Sequence, residues 1–367
     1  MAQGPDLPGH YEKTSFAAIE DWQNDNHLDA LKSFLRFCPV PEGAPESRYA
    51  SEDLKRLCPA AWEAVASGAS ARTFLESRFK PYRIAQKGFV TGYYEPEVDA
   101  SRTRTDIFKV PLLKKPDGLE PVSSDRRPAG WPVNLSHGRR AGGVLSELPD
   151  RGAIMDGALV DEGLELVWLA DPVDAYFIHV QGSARLKLTD GTVMRVGYAG
   201  KSGHPYTGIG KLLVDRGEGT PEDFTMSGLR AWLAEHPEER DPLFRENRSY
   251  IFFREIQDID PDQGPIGAAG LPLTPGRSLA VDPKEIPYGS LVFVSASFDD
   301  FETADRPFAR LMVTDDTGSA IRGRARGDIF VGSGAASGET AGAIRHAAEF
   351  IVLVPEPGSP EPGGGVD

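Results

Sequence analysis

From Gly88 onward, short apolar stretches alternate with turn-forming residues, and this spacing restricts the chain to short strands. The 367 residues include 40 Gly and 30 Pro, more than a helix-rich protein would tolerate. An Asp-Gly pair at 190–191 predicts a hairpin turn, because it supplies the positive φ values that a tight turn needs. We therefore predict a mainly β protein, with strands in GFVTGYYEPEV (ending at Pro96), LELVWLA, AYFIHVQG, ARLKLTDG, TVMRVGYAG, RSYIFFREI, RSLAVD, GSLVFVSA and ARLMVTDD.

The segment up to Phe79 instead predicts helices. Asn26 is suited to cap HLDALKSFLRFC, whose apolar residues recur on one helical face. Ser51 begins SEDLKRLCPAAWEAVA, which Pro59 is expected to kink or split, and a third helix is expected in ARTFLESRF. Further along, Thr220 followed by Pro221 also resembles a helix start.

The two cysteines, Cys38 and Cys58, leave two interpretations open. They are either buried thiols or a disulfide that joins two N-terminal helices. The disulfide requires an oxidising compartment.

Charge and hydropathy exclude some classes of function. The net charge of −15 disfavours nucleic acid and anionic membrane surfaces as partners. No apolar run approaches the roughly 20 residues of a membrane span. The first residues lack the features of a signal peptide, so we expect either a cytosolic protein or a chain that starts after a removed leader. The tail, 356–367, is predicted to be disordered.

Most familiar catalytic motifs are missing from the sequence. The 7 His residues form no metal-binding pair, no phosphate-binding GxxxxGK[ST] occurs, and there is no GxSxG. We therefore predict no metal and no cofactor. His204, in the turn-forming SGHPYTGIGK, is either a structural histidine or a ligand contact.

Two carboxylates near the C-terminus are the best candidates for chemistry. Asp316 ends the strand LMVTDD, and Asp328 opens the strand IFV after a loop that contains Arg322, Arg324 and Arg326. If the two strands lie side by side, both side chains can face one cleft. Apolar surroundings favour a raised pKa for Asp328, whereas Asp316 can accept backbone hydrogen bonds and stay ionised. Such a pair suits glycoside chemistry.

The same residues allow an aspartic peptidase as an alternative. Asp316-Thr317-Gly318 resembles the active-site triplet of that class, in which two aspartates share a proton. However, a second Asp-Thr/Ser-Gly is missing, and the preceding residue is Asp315 where an apolar residue is expected. Arg326-Gly327-Asp328 also forms a cell-adhesion tripeptide, which we regard as incidental.

From about Asp21 to Pro355 the chain resembles the MltA family of lytic transglycosylases. The resemblance implies a double-psi β-barrel domain with N-terminal helices (1–100 and 244–355), an inserted β domain (101–243) and a glycan groove between them. The matching stretches occur in the family's order: TGYYEPEV (91–98), FIHVQGSARLKLTDG (177–191), SGHPYTGIGK (202–211), NRSYIFFRE (247–255), GPIGAAGLPLTPGRSLAVD (264–282) and DTGSAIRGRARGDIFVGSG (316–334).

The resemblance also implies non-hydrolytic cleavage of the β-1,4 bond between N-acetylmuramic acid and N-acetylglucosamine. Asp328 falls on the family's acid/base aspartate and Asp316 on a second acid. The family often has another acid where this chain has Ala335, Ala336 and Ser337, with Glu339 nearby but not aligned, so a third assisting carboxylate stays unassigned. Expected sugar contacts are Thr91, Tyr93, Tyr94, Gln181, His204, Tyr206, Lys211 and Ser319.

Such a protein is expected to be a monomer in the periplasm or at the outer membrane. Its partner would be the peptidoglycan glycan strand, with other cell-wall enzymes as further partners. Two other functions stay open: a catalytically inactive glycan-binding module, and a hydrolase on the same barrel.

Overall fold

A computed structural model describes residues 10–38, 51–123, 125, 127–257, 260, 263–303 and 305–356. The helices within these ranges are α1 (His27–Leu35), α2 (Glu52–Lys55), α3 (Cys58–Ala66), α4 (Ala71–Arg78), α5 (Arg151–Met155), α6 (Pro172–Gln181), α7 (Ile209–Arg216), α8 (Met226–Glu235), α9 (Arg240–Glu246) and α10 (Ala335–Ala343). The strands are β1 (Tyr11–Lys13), β2 (Phe79–Ile84), β3 (Gly88–Glu95), β4 (Glu97–Ser101), β5 (Val110–Leu113), β6 (Leu119–Pro121), β7 (His137–Ala141), β8 (Val144–Ser146), β9 (Glu165–Leu169), β10 (Ser183–Leu188), β11 (Val193–Lys201), β12 (Ile251–Ile256), β13 (Ser278–Ala280), β14 (Leu291–Asp299), β15 (Pro307–Asp316), β16 (Arg326–Ser333) and β17 (Arg345–Pro355).

Close contacts divide the chain into two compact units. Unit 1 comprises Met1–Tyr93, Ile266–Gly332 and Ile344–Asp367, and unit 2 comprises Tyr94–Pro265 and Ser333–Ala343. This division differs at its bounds from the predicted domains 1–100 plus 244–355 and 101–243. It assigns 94–100, 244–265 and 333–343 to the second unit. The end of the tail, 357–367, lies outside the described residues, so its predicted disorder stays a prediction.

Unit 1 is built on a closed ring of six strands. Its sheet runs β1-β2-β17-β14-β15-β13-β16-β3, and a further pairing of β17 with β3 closes the ring. Closure leaves no open edge among the six strands of the ring. The predicted mainly β fold is thus confirmed.

The N-terminal helices cover one side of this sheet. Leu31 and Phe34 of α1 are fully buried in a cluster that includes Phe293 of β14 and Leu311 of β15. Burying each of these side chains contributes about 1.5–3 kcal/mol. The packing places α1 against β15, the strand that ends in Asp315 and Asp316.

The local signals for these helices are confirmed. The Asn26 side chain accepts the Asp29 N–H, and the Ser51 side chain accepts the Leu54 N–H. Pro59 separates α2 from α3 by occupying the first turn of α3. Cys38 and Cys58 form a disulfide with a Cα–Cα distance of 5.5 Å, which selects the second of the two interpretations.

Unit 2 has a six-stranded sheet in the order β12-β11-β10-β4-β9-β5 and a three-stranded sheet β6-β7-β8. Its sheet core includes Leu186, Val196 and Phe253, with Ile178 of α6 packed against them. The predicted hairpin at 189–192 is confirmed, because β10 and β11 pair antiparallel around it and Gly191 has φ 85°.

Two predictions of secondary structure in unit 2 were wrong. AYFIHVQG is not a strand but most of α6, which Asp171 caps by accepting the Val173 N–H and which ends before Gly182 at φ 80°. An apolar run of this length is compatible with either structure, so the cap decides. The helix predicted at Thr220 begins at Met226, capped by Thr225, while Asp223 binds the Thr220 N–H.

Helices also occur where we predicted a mostly β domain. The stretch 101–243 contains α5, α6, α7, α8 and the start of α9, of which the last four form an apolar cluster of their own. No helix in the described part of the chain is long and apolar enough to cross a membrane.

Candidate active site

The strands that carry Asp316 and Asp328 are not neighbours, so the side-by-side arrangement considered from the sequence does not occur. The short strand β13 separates β15 from β16. Ala280 of β13 is the register partner of Asp316 on one side and of Asp328 on the other. Because directly opposed residues project from the same face of a sheet, both carboxylates share the face of the small Ala280 side chain.

A register irregularity in β15 brings Asp316 to this face. Leu279 pairs with Thr314, but the next residue of β13, Ala280, pairs with Asp316. The ladder therefore skips Asp315, as at a β-bulge. Without this extra residue, the alternation along β15 would put Asp316 on the opposite face.

Asp328 is half-buried and is held by β3. The Thr91 hydroxyl donates a hydrogen bond to Asp328 Oδ1, and Arg326 Nη2 donates to Thr91 Oγ1 at 2.7 Å. Burial raises the pKa of Asp328 to about 6, against the opposing effects of the Arg326 charge and the Thr91 hydrogen bond. The predicted rise is confirmed in direction, and it provides a carboxyl group that can carry a proton near neutral pH.

Asp316 is half-buried and has two donors that fix its orientation. The Tyr93 hydroxyl donates to Oδ2 at 2.8 Å, and the Ala268 N–H donates to Oδ1 at 2.9 Å. Burial nevertheless raises the pKa of Asp316 above its ordinary value, against the lowering effect of these two hydrogen bonds. Each aspartate is thus bonded to a residue of β3, where Thr91 and Tyr93 are two positions apart and share a face.

Tyr93 remains a hydrogen-bond donor in this setting. Burial, and then the nearby carboxylates of Asp316 and Asp315, raise its pKa well above the ordinary value. The ring packs with Phe330 at a centroid distance of 5.4 Å, in a buried cluster that includes Leu273 and Ala280. This apolar side of the site explains why burial dominates the carboxyl pKa values.

Asp315 is a fully buried carboxylate that was not among the site residues predicted from the sequence. Arg36, just after α1, lies 2.8 Å from Asp315 Oδ2, and the Ser278 hydroxyl donates to the same oxygen at 2.5 Å. Burial raises the pKa of Asp315 to about 7. Asp315, Asp316 and Asp328 therefore all lie close to β13.

A second missed group is Glu95 of unit 2, the last residue of β3. Its carboxylate is fully buried and lies 2.8 Å from Arg195 Nε and 3.0 Å from Arg185 Nε. The Ser333 hydroxyl, at the end of β16, donates to Glu95 Oε2 at 2.7 Å. Glu95 thus joins the ends of the strands that carry Thr91, Tyr93 and Asp328. Three consecutive polar or aromatic residues before Pro96 were the only available signal.

The other predicted sugar contacts are distributed through the chain. In unit 2, Gln181 Oε1 accepts the Tyr94 N–H at 3.0 Å, and the Tyr94 ring is packed beside Gly338 of α10. His204 is buried, with Nε2 2.8 Å from the Leu148 carbonyl, so it has the structural role that was one of its two interpretations.

Three further predicted contacts are exposed to solvent. Tyr206 is 36% exposed. Lys211 forms an ion pair with Asp215 at 2.5 Å on α7. Ser319 is in the loop after β15.

The position of the expected third acid contains no carboxylate. Ala335, Ala336 and Ser337 begin α10, whose first turn has no acidic residue, and Glu339 is exposed. Within the described ranges, no group of three or more His, Cys, Asp and Glu side chains is arranged as a metal site. The raised pKa of Asp328 makes this carboxyl a candidate for proton transfer, and Asp316 shares its face of the sheet.

Comparison with known proteins identifies relatives along most of the chain. Residues 89–254 match the family model described as the MltA specific insert domain, and residues 277–354 match the 3D domain. Membrane-bound lytic murein transglycosylase A of Escherichia coli K12 is 33% identical over 273 residues, 73% of this chain and 66% of that protein. The same enzyme of Vibrio cholerae is 28% identical over 70% of this chain and 62% of its own. The chain thus spans slightly less than two thirds of these relatives.

Solved structures match over nearly the whole chain. A membrane-bound lytic murein transglycosylase from Agrobacterium tumefaciens superposes with a TM-score of 0.82 at 39% identity, covering 94% of this chain and 97% of the other. Escherichia coli MltA with bound chitohexaose gives a TM-score of 0.69 at 26% identity, covering 97% and 94%.

Proposed function

The chain belongs to the MltA family, and we propose that it is a peptidoglycan lytic transglycosylase with Asp328 as the acid and base. It cleaves the β-1,4 bond between N-acetylmuramic acid and N-acetylglucosamine and leaves a 1,6-anhydromuramoyl end. The observation that carries the proposal is the Asp328 carboxyl, half-buried, bonded to Thr91 and raised in pKa to about 6.

The reaction transfers one proton from Asp328 to the substrate and then one proton back from the substrate to Asp328. Protonated Asp328 donates to the glycosidic oxygen as the bond breaks, and the sugar passes through an oxocarbenium-like state. The C6 hydroxyl of the same muramic acid then attacks C1, and Asp328 accepts its proton. Because this nucleophile belongs to the substrate, its effective concentration is high and no water has to be positioned.

The surrounding residues support these two roles of Asp328. The bond from Thr91 fixes the carboxyl, and Arg326 fixes Thr91. The Asp316 charge acts with burial to raise the pKa of Asp328, and Tyr93 holds Asp316 in place. We propose Asp316 as a positioning residue that keeps Asp328 protonated, and not as a nucleophile.

The finer predictions from the sequence form part of the proposal. We propose that the six-stranded ring of unit 1 is a double-psi barrel and that 101–243 is an inserted domain beside a glycan groove. Thr91, Tyr93, Tyr94, Gln181, Tyr206, Lys211 and Ser319 are the proposed sugar contacts. His204 is proposed only as a support, because Leu148 occupies its Nε2. The relatives are named membrane-bound, which supports a periplasmic or outer-membrane-associated enzyme acting on the glycan strand.

Product analysis on purified murein tests the proposal. Wild-type protein should release anhydromuropeptides, which are lighter by one water than the products of a hydrolase. Asp328→Asn should lower the rate by about 10²–10⁴-fold, the usual contribution of a general acid. Asp299→Asn, which removes an exposed carboxylate of β14, is the matched control and should keep the wild-type rate.

Three results would contradict parts of this assignment. If Asp328→Asn cleaved murein at the wild-type rate, Asp328 would be excluded as the acid. Reducing-end products would indicate a hydrolase. Glycan binding without any turnover would indicate an inactive binding module.

A further inference from the structure

A cavity of about 680 Å³ lies on the large sheet of unit 2, apart from the strands that carry Asp316 and Asp328. It lies where β5, β9, β11 and β12 come together, and its lining includes Lys114, Lys115, Tyr198 and Arg254. Its apolar part includes Phe253, which is fully buried. The volume is within the range of small-molecule and peptide sites.

The cavity carries an excess of positive charge in a chain of net charge −15. Lys114, Lys115 and Arg254 are exposed, and none of them occurs in the ion pairs found among the described residues. The lining carboxylate, Glu255, instead faces Arg102 at 3.5 Å. The three cations outnumber the single carboxylate of the lining, and this excess of positive charge favours an anionic ligand.

A backbone irregularity opens the sheet at the same place. Tyr198 pairs with Phe253, but the next pair joins Gly200 and Phe252, so Ala199 has no register partner in this ladder. The ladder on the other side of β11 ends at Gly197. Bulges of this kind re-aim side chains next to binding sites. Here Tyr198 is 46% exposed, although β11 is an interior strand of the sheet.

The absence of a side chain at Gly200 leaves room for the Lys115 side chain. A Cβ atom at this position would lie 3.2 Å from Lys115 Cδ and 2.8 Å from Leu119 Cδ2. The absence of a side chain lets the Lys115 stem lie across β11 at the cavity. Aromatic, apolar and cationic groups are thus combined around one opening, which suits a ligand with both small apolar groups and a free carboxylate.

We propose that this cavity binds the peptide stems of peptidoglycan through their free carboxylates. The inference rests on the proposed function, because murein is the polymer in which short anionic peptides of small residues accompany the glycan. Binding here would hold the peptide-bearing strand on unit 2 independently of the chemistry at Asp328.

Peptide binding by the intact chain tests this inference. The probe is a murein tetrapeptide titrated into wild-type protein and into the variant Lys114→Gln/Lys115→Gln/Arg254→Gln, with NMR or calorimetry as readout. We expect the triple variant to bind about tenfold more weakly, because exposed charge contacts each contribute modestly. Lys13→Gln, an exposed lysine of β1, is the control and should bind as wild type.

The same titration with a fully amidated peptide tests whether the protein recognises the carboxylates of the peptide. It should bind wild type about as weakly as the acid form binds the triple variant. Equal binding of acid and amide forms, equal binding by the triple variant, or no binding to wild type would each overturn the inference.

Turnover separates this inference from the proposed function. The triple variant should cleave peptide-free glycan at the wild-type rate and lose efficiency only on peptide-bearing murein. If wild type binds the tetrapeptide but cleaves no glycan, the proposed function fails and the peptide site stands. If it cleaves both substrates but the triple variant is unaffected on both, the peptide site fails and the function stands.

Discussion

Replacing Glu95 by Gln should damage both stability and catalysis, because one buried charge joins the ends of β3 and β16. The Glu95 carboxylate is fully buried between Arg195, whose side chain is 6% exposed, and Arg185, at 24%. The two arginines also bond the Gln263 carbonyl, at 2.8 and 3.1 Å, so both stay in place when the carboxylate is removed. The variant thus leaves two cations without their countercharge.

The expected loss follows from the environment of each partner. Breaking a buried ion pair from one side costs about 3–5 kcal/mol. Arg185 is partly hydrated and would recover some solvation, so we expect about 3 kcal/mol. Ser333→Ala removes only one hydrogen bond to the same carboxylate, of 2.7 Å, and should cost about 1–2 kcal/mol.

Urea denaturation followed by circular dichroism, together with murein turnover, measures both effects. Glu95 lies two residues after Tyr93, so a loosened strand end should weaken the contact of Tyr93 with Asp316 and lower kcat about tenfold or more. A Glu95→Gln protein as stable as Ser333→Ala would refute the electrostatic reasoning. Lost stability with unchanged kcat would refute the link from this strand end to the active site.

Two further predictions concern proton binding and the disulfide. Burial raises the pKa of Asp328 to about 6, so the stability of wild type is lost as pH rises through this value. Asp328→Asn should therefore be more stable than wild type by up to about 2 kcal/mol at pH 7, and equally stable near pH 4. Denaturation at both pH values measures the difference. Wild-type turnover should fall about tenfold per pH unit well above 6, and a flat alkaline limb would contradict Asp328 as the acid. Cys38→Ser/Cys58→Ser should lose about 3 kcal/mol, since the bond closes a separation of 20 residues, and reductant should lower the melting temperature of wild type but not of this variant.

Local signals in the sequence predicted much of the secondary structure. Asn26 and Ser51 cap helices, Pro59 separates two of them, and an Asp-Gly pair makes a hairpin, because each acts through residues within one turn. The prediction failed at AYFIHVQG, where an apolar run fits helix and strand alike. The local signal that decides for a helix is Asp171 followed by Pro172, an N-cap residue and a proline at the first helical position.

The sequence by itself singled out Asp316 and Asp328 as candidate catalytic carboxylates, because residue types and short motifs can be recognised without knowing the fold. Only the tertiary structure decided how they meet: β13 lies between their strands, and the ladder skips Asp315 so that Asp316 reaches the face of Asp328. The same holds for Arg36 beside Asp315 and for Arg185 and Arg195 around Glu95. Register and burial depend on partners far away along the chain, so local sequence cannot specify them.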